Sequence, residues 1–375
     1  MKTGTANLPL HYGAAPRWLF ERMVRLAREI AIIMVEEYGT QGFLQRLADP
    51  FWFQAFGCVL GFDWHSSGLT TTTCGALKEG LRPVARELGL FVAGGKGKTS
   101  RRTPQEIEAF APFLQISPEP LVYASKMAAK VDNTAVQDGY QLYHHVLVFD
   151  RDGHWAVIQQ GMNPLNRYAR RYHWLGDTLE DFCCEPHSAV CCDIRQPTLN
   201  MVALESDQAR QATTEVAKLP PEKVLQEVEH LRELELPARH AVQLQDISTR
   251  YLKRVLLQTY ERQPENFETL LGLRGVGPAT IRALSLVAEL MYGAEPSFRD
   301  PARFSFAHGG KDGTPYPVNR ANYDRTIYLL RTAIARAKIG QRDRLEALKR
   351  LARLEEDSNH ATHPMGSKTR SPAPR

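Results

Sequence analysis

The chain has 375 residues, of which 43% are hydrophobic and 24% charged. This composition excludes a disordered or collagen-like protein, and the length suffices for two domains with cores of their own. The formal net charge is +5, a mild basic excess that permits a polyanionic partner without requiring one. Only local clusters of charge can decide whether such a partner exists.

No apolar run reaches the roughly 18 residues that cross a bilayer, and residues 1–18 contain Pro, His and Arg where a signal peptide is apolar. We therefore expect a cytoplasmic protein without a membrane partner. The six cysteines are too few for a disulfide framework in a chain of this length. Four of them form two adjacent pairs, which differ from the C-x-x-C spacing of zinc sites, so we expect neither a metal nor a cofactor.

Hydrophobic periodicity predicts a mixed first half. Residues 18–37 have the 3.6-residue spacing of an amphipathic helix, a second helix is expected over 75–87, and Thr103 with Glu106 predicts a capping box at the start of a third. The strongest strand signal lies at residues 144–160. Valine and tryptophan, which favour strands, recur at every second position before and after an Asp/Gly turn. This pattern predicts a β-hairpin.

The second half is helical in period after about residue 203. Helices are predicted over residues 221–234, 243–260, 267–271, 278–292 and 323–354. Beyond residue 356 the tail is too poor in apolar residues to offset the entropy of ordering it. We therefore predict an α+β fold, with a mixed α/β domain containing a β-hairpin at 1–203, an all-α domain at 204–356 and a disordered tail at 357–375.

A glycine turn lies between the two helices predicted within residues 270–284. It consists of Gly275, Val276 and Gly277, and Pro278 is suited to open the following helix. Glycines allow positive φ and let a phosphate approach the backbone, where the free N–H groups of a helix N-terminus bind anions. We expect the turn to grip one phosphate. Three nearby side chains could add charge or a hydroxyl: Arg274, Thr280 and Arg282.

This turn and its flanking helices resemble the helix-hairpin-helix DNA-binding motif, and residues 250–300 are similar to the DNA glycosylases of that superfamily. In those enzymes a Gly/Pro-rich loop precedes a catalytic Asp, and the matching residue here is Asp300. The resemblance implies that a flipped base is excised, with the Asp stabilising charge on the sugar or activating water. Bifunctional members carry a nucleophilic Lys where this chain has Ala279, so the resemblance implies a monofunctional enzyme.

The chain as a whole resembles a prokaryotic family catalogued as a domain of unknown function. The resemblance rests on residues 3–11, 62–68, 158–163 and 307–313, and it spans nearly everything before the tail. It implies no particular activity, so the chemistry has to be argued from the residues.

Other residues could complete a site. Lys311 and Asp312, in a long Gly/Pro loop, are an alternative catalytic pair or a solvated turn. Asp63 and His65 could hydrogen-bond a base or a sugar, although a polar turn explains them as well. The side-chain amides of Gln159 and Gln160, in the second arm of the predicted hairpin, could also hydrogen-bond the edge of a base. A purely structural turn would explain them equally well.

A basic loop and a group of possible metal ligands remain. The loop contains Lys96 and Lys98, followed by Arg101 and Arg102, and is typical either of a nucleic-acid contact or of a solvated loop. The possible ligands surround the predicted β-hairpin: His144, His145, Asp150, Asp152 and His154. A metal-dependent nuclease could use them, but the second arm lacks the acid-x-Lys pair of restriction-type nucleases.

These patterns together predict a base-excision enzyme that binds duplex DNA through its backbone. Specifically, we expect a monofunctional DNA N-glycosylase that acts on a damaged or bulky modified base, as in defence against viral DNA. Two alternatives stay open. One is a noncatalytic DNA- or RNA-binding protein, and the other is a metal-dependent nuclease that uses Asp150 and Asp152.

Overall fold

The computed structural model describes residues 15–62, 68–165, 167–192, 194–233, 248–303 and 320–360. In these ranges an antiparallel sheet lies between two layers of helices, so the predicted α+β class is confirmed. None of the helices in the same ranges is both long and apolar enough to span a membrane. Part of the predicted tail, residues 361–375, lies outside the described residues.

The main sheet has the strand order β1-β3-β4-β5-β6. Its strands are β1 (Leu90–Lys96), β3 (Gln141–Asp150), β4 (Trp155–Met162), β5 (Ala169–Leu175) and β6 (Ala189–Cys191). A small second sheet pairs β2 (Val136–Gln137) with β7 (Leu199–Asn200). The predicted β-hairpin is confirmed as β3 and β4, and Gly153 in its turn has a φ of +95°.

One layer of helices covers the face of the sheet that carries Val146, Val148 and Ile158. It contains α1 (Arg17–Ala48), α2 (Pro50–Leu60), α3 (Gly68–Leu81), α4 (Ala85–Leu88), α12 (Arg320–Arg336) and α13 (Gln341–His360). Two predictions are wrong in detail here. The helix expected over 75–87 is divided near Pro83, which cannot continue a helix, and the one expected over 323–354 is divided before Gln341.

The opposite layer covers the face that carries Leu147, Val157 and Trp174. Its helices are α5 (Thr103–Phe110), α6 (Glu119–Lys130), α7 (Asp207–Ala217), α8 (Pro221–Glu233), α9 (Thr249–Arg262), α10 (Phe267–Gly272) and α11 (Pro278–Tyr292). The chain therefore crosses the sheet more than once, since α12 and α13 return to pack against α1 and α2. The domain boundary predicted at residue 203 stays a prediction.

The capping box predicted at the start of α5 is not formed. Thr103 Oγ1 donates to the carbonyl of Ser100 at 2.7 Å. Glu106 accepts instead from the Lys78 ammonium at 2.6 Å and from the backbone N–H of Gly94 at 2.7 Å. Glu106 thus fixes the end of β1 rather than the N-terminus of its own helix.

Candidate nucleic-acid interface

The predicted glycine turn lies between α10 and α11. Gly275 has a φ of +89°, a left-handed conformation that favours glycine. Gly277 precedes α11 as its N-cap with a φ of −130°, which is extended backbone that any residue adopts. A Cβ at Gly277 would meet nothing closer than the Gly275 carbonyl oxygen at 3.9 Å. The fold therefore requires glycine at 275, whereas at 277 the small residue leaves open space.

Side chains from three other elements hold the carbonyl groups of this turn. The carbonyl oxygens of residues 275, 276 and 278 accept from Tyr251 Oη at 2.8 Å, from the Lys130 ammonium and from Gln137 Nε2 at 2.9 Å, respectively. Each of these donors lies more than twenty residues away in the chain. The turn is thereby fixed by tertiary contacts as well as by its own sequence.

The N–H groups at the start of α11 are free of the helix itself, because the first four positions have no acceptor one turn earlier. Pro278 offers no N–H group, and the helical pattern begins with the bond from Ile281 N to Gly277 O at 3.0 Å. The N–H groups of Gly277, Ala279 and Thr280 are therefore the ones that can bind an anion.

Basic side chains lie near the glycine turn. The half-buried Lys130 ammonium forms no ion pair with a carboxylate of the described residues, and burial lowers its pKa. Arg274 is exposed beside the turn, whereas Arg282 Nε donates to Gln137 Oε1 at 2.9 Å. The side chain of Thr280 is buried, as is that of Val276, so among the predicted DNA contacts these two can act only through their backbone.

The glycine turn lies beside one end of the main sheet, where β1, β4 and β6 end and β3 and β5 begin. Gln137, which holds the turn, stands four residues before the first residue of β3. At the same end the short 3-10 helix Gly97–Arg102 follows β1 and exposes Lys98, Arg101 and Arg102. We call this end of the sheet, with the glycine turn and the 3-10 helix, the basic end.

A row of polar residues crosses the sheet just inside the basic end. The direct cross-strand neighbours, from β1 to β6, are Lys96, His144, Gln160, Arg171 and Cys191. Paired residues of antiparallel strands share a face, and this row lies on the face covered by α1, α2 and α3. We call these five residues the polar row.

A β-bulge adds a sixth polar side chain to the polar row. Leu142 and His144 pair with consecutive residues of β4, which leaves Tyr143 as the extra residue. The Tyr143 hydroxyl accepts from Gln160 Nε2, and burial raises the pKa of this phenol. Tyr143 therefore stays neutral and keeps its own proton to donate.

His144 is the exceptional member of the polar row. It is 1% exposed, and neither of its ring nitrogens has a hydrogen-bond partner within the described residues. Burial, together with the charges of His145 and Lys96, lowers the pKa of His144 to about 3. The ring is thus a neutral imidazole with one donor and one acceptor that no described residue uses.

Arg171 anchors the far side of the polar row. The guanidinium donates to Gln54 Oε1 at 3.0 Å, to the Pro50 carbonyl at 3.2 Å and to His173 Nε2 at 2.8 Å. It also lies 4.8 Å from the centroid of the Phe53 ring. These contacts from α2 and β5 hold a fully buried cation beside Gln160, its cross-strand neighbour on β4.

Gln159 faces the other side of the sheet, so the structure separates the two glutamines that were expected to share a pocket. Gln159 belongs to a chain of hydrogen bonds in which Ser125 Oγ meets His145 Nε2 at 2.8 Å, His145 Nδ1 meets Gln159 Oε1 at 2.9 Å, and Gln159 Nε2 donates to Asp132 at 2.6 Å. Asp132 also accepts from Trp174 Nε1 at 3.0 Å and pairs with His187 Nε2 at 2.5 Å. We call these six residues the buried network.

Asp300 lies after α11, in contact with the sheet. Its Oδ2 accepts from Arg170 at 2.7 Å and from the backbone N–H of Gln196 at 2.9 Å, and its Oδ1 accepts from the backbone N–H of Ala302 at 2.8 Å. Arg170 also donates to Asp138 at 2.9 Å. The carboxylate is thus engaged in an ion pair and 6% exposed. A catalytic role for Asp300 requires release from Arg170, and it stays a prediction.

Four other predicted site residues lie outside the described residues: Asp63, His65, Lys311 and Asp312. The nuclease alternative relied on Asp150, whose carboxylate accepts from the backbone N–H groups of Asp152 at 3.0 Å and His154 at 2.9 Å and from Thr40 Oγ1 at 2.7 Å. These bonds close the turn between β3 and β4. Nowhere in the described ranges do three or more His, Cys, Asp or Glu side chains form a group that could hold a metal.

Sequence reasoning missed Lys130 and Gln137. A lysine in the last turn of a helix ordinarily interacts with that helix's own carbonyl groups, and nothing in the local pattern around residue 137 indicates a contact with residue 278. Only the packing of α6 and β2 against the glycine turn reveals their role.

Comparison with known proteins identifies the family of the chain. No curated protein and no solved structure matches the chain, so the similarity to helix-hairpin-helix glycosylases stays a prediction. A family model described as "Protein of unknown function (DUF763)" matches residues 4–318. The chain therefore belongs to the DUF763 family, as its sequence signatures predicted.

Proposed function

We propose that this protein binds duplex DNA by its phosphate backbone at the glycine turn before α11. The observation that carries the proposal is that the Lys130 ammonium binds the Val276 carbonyl at the same turn as the free N–H groups of Gly277, Ala279 and Thr280. This ammonium has no acidic partner in the described part of the chain. N–H groups at a helix N-terminus bind anions. A partly buried ammonium attracts an anion more strongly than an exposed one, because the local dielectric is lower.

The other residues of the basic end extend this contact. Lys98, Arg101 and Arg102 are exposed at the same end of the sheet as the glycine turn. A duplex that lies across this end of the sheet would contact both the glycine turn and this second patch of positive charge. Contacts of this kind position a protein on the backbone without reading base sequence, which suits a protein that searches DNA for a rare base.

Base excision is the activity that we propose to follow from this binding. The specific observation in its favour is the polar row, which places His144, Tyr143 and Gln160 just inside the basic end. An imidazole, a phenol and an amide are suited to hydrogen-bond the edge of a flipped base or its sugar. The activity is that of a monofunctional DNA N-glycosylase acting on a damaged or bulky modified base, such as one in viral DNA.

The binding proposal is tested by Gly277→Asp. Aspartate is a favourable N-cap, so the variant should be at least as stable as the wild type, and the open space at residue 277 accepts the new side chain. The carboxylate would occupy the N–H groups and repel phosphate. We expect duplex affinity to fall roughly tenfold to a hundredfold in fluorescence anisotropy at fixed salt.

Gly340→Asp is the matched control for this experiment. Gly340 also precedes a helix, its carbonyl accepts from Arg344 N at 3.0 Å, and a Cβ there meets nothing within 4 Å. The variant has the same charge change at the start of α13, away from the basic end, so its affinity should stay within about twofold. Equal affinity of Gly277→Asp and wild type across salt concentrations would refute the proposed phosphate contact.

The excision proposal is tested by incubating the protein with plain and modified duplexes and then applying alkali. We expect strand breaks that appear only after alkali and only on a modified substrate, and that persist in EDTA. Breaks abolished by EDTA would indicate the nuclease, and binding without any product would indicate the noncatalytic protein. Asp300→Asn and Asp312→Asn are compared with a circular dichroism control, since the first variant also alters the ion pair with Arg170.

A further inference from the structure

We propose that Leu165, at the tip between β4 and β5, is a wedge that inserts between base pairs of the bound duplex. This inference rests on the proposed DNA binding at the basic end. It assigns to one side chain the task of unstacking the DNA, which neither the glycine turn nor the polar row can perform.

The first observation is the exposure of Leu165. Its side chain is 93% exposed, more than any other large hydrophobic residue among those that the structure describes. A single exposed leucine needs no explanation by itself. The argument therefore depends on how this tip is held and on where it lies.

The tip is held by Asn163, which is 4% exposed. Asn163 Oδ1 accepts from the backbone N–H of Leu165 at 2.9 Å, and the Asn163 carbonyl accepts from Arg167 N at 2.9 Å. The Asn163 N–H donates to the Tyr168 carbonyl at 3.0 Å, and Arg167 has a φ of +61°. Hydrogen bonds to Asn163 thus hold the backbone N–H groups of Leu165 and of Arg167, which reduces the conformational entropy that Leu165 loses when it enters a confined space.

The tip also belongs to the basic end, because β4 ends and β5 begins there. The side chain of Asn163 packs on Gly139, where an added Cβ would lie 3.0 Å from Asn163 Nδ2. Gly139 is two residues after Gln137, whose side chain holds the carbonyl of residue 278. The tip and the glycine turn are therefore on the order of 20 Å apart, a span of roughly six base pairs.

Charge complementarity identifies the occupant as nucleic acid. Arg167 follows Leu165 closely, and Lys98, Arg101 and Arg102 lie at the same end of the sheet. An apolar tip with a cation beside it and a basic patch at the same end of the sheet matches a base stack flanked by phosphates. Proteins that kink DNA insert leucine and similar apolar side chains between base steps in this way, at a cost of a few kcal/mol for unstacking.

The test uses full-length protein and a duplex that contains 2-aminopurine, whose fluorescence rises when it is unstacked. We expect the wild type to raise the fluorescence several-fold on binding, Leu165→Phe to retain the rise, and Leu165→Ala to lose it. Affinity measured by anisotropy should fall less than about tenfold in Leu165→Ala, because the phosphate contacts remain. Leu345→Ala, an exposed leucine on α13, is the matched control and should behave as wild type.

The outcomes separate the wedge from the proposed function. A full fluorescence rise in Leu165→Ala would overturn the wedge and leave DNA binding intact. Absence of duplex binding by the wild type would overturn both proposals. Loss of self-association in Leu165→Ala, with unchanged fluorescence on DNA, would assign the tip to a protein contact and would also overturn the wedge.

Discussion

Two adjacent histidines occupy opposite faces of the same sheet and have opposite surroundings. His145 is bound on both ring nitrogens, by Ser125 at 2.8 Å and by Gln159 at 2.9 Å. His144 is equally buried, yet neither of its nitrogens has a partner within the described ranges. The two faces are thus built from similar residues, a histidine and a glutamine on paired strands, but only one of them is complete.

The difference indicates which face is structural. A buried polar group that is fully hydrogen-bonded contributes to stability, whereas one without a partner lowers stability and calls for another explanation, of which ligand binding is the one we test. We therefore assign the buried network to the stability of the fold and the polar row to the proposed chemistry. The following predictions test this assignment.

The largest effect is expected from Asp132→Asn. Asp132 accepts hydrogen bonds from Gln159, Trp174 and His187. Asparagine has an NH2 group in place of one carboxylate oxygen, so at least one of these three donors would lose its acceptor. We expect a loss of about 3 kcal/mol in the free energy of unfolding, measured by urea denaturation. Asp177→Asn, at an exposed position, is the control and should change stability by less than about 0.5 kcal/mol. Equal stabilities of the two variants would contradict the role of the buried network.

A smaller loss is expected from His145→Leu. The substitution leaves the Ser125 hydroxyl and the Gln159 carbonyl oxygen without their partner in a site closed to water. Each unsatisfied group costs about 1 kcal/mol or more, so the free energy of unfolding should fall by about 2 kcal/mol. Urea midpoints at pH 7 measure this change. A variant as stable as the wild type would mean that the bonds of His145 add nothing to the fold.

The pH dependence of stability should distinguish His144 from exposed histidines. Burial lowers its folded-state pKa to about 3, below the ordinary value of 6.5, so between these values the unfolded chain binds a proton that the folded chain does not. Stability must therefore fall as the pH falls from 6.5 towards 3, by about 1.4 kcal/mol per pH unit for this group. In His144→Leu the slope of unfolding free energy between pH 6.5 and 4.5 should be shallower by about that amount. An unchanged slope would show that His144 titrates normally in the folded protein.

The smallest effect on stability is expected from His144→Leu at pH 7. No hydrogen bond within the described residues is lost, and the apolar side chain joins the neighbouring Val146 and Ile158. We expect no loss of stability and a gain of at most about 1 kcal/mol, because a buried group without a partner is removed, together with loss of the proposed excision activity in the alkali assay. A destabilisation as large as that of His145→Leu would refute the distinction between the two faces.

Much of the fold could be predicted because its signals are local. The alternation around the turn at 150–153 predicted β3 and β4, and the helical period predicted α11 with the same bounds that the structure has. β1 and β5 were missed for a physical reason. β1 contains Gly94 and Gly95. β5 contains two buried arginines with partners remote in sequence: Arg170 pairs with Asp138 and Asp300, and Arg171 donates to Gln54.

The candidate site was predicted in part. The glycine turn was found, since positive φ and a proline at the first helical position leave a recognisable pattern. The separation of Gln159 from Gln160 follows from strand alternation, but their surroundings do not. The partner of Gln159 is Asp132, 27 residues earlier, and the bulge that brings Tyr143 to Gln160 depends on the register between two strands.

The sequence by itself determined the types of the local elements and the presence of the glycine turn, because backbone sterics and side-chain periodicity act over a few residues. Only the tertiary structure decided which of two neighbouring histidines has hydrogen-bond partners, which arginine pairs with Asp300 and which lysine binds the glycine turn. Lys130 and Val276 are 146 residues apart, and a contact over that separation is set by the packing of whole elements rather than by any local pattern.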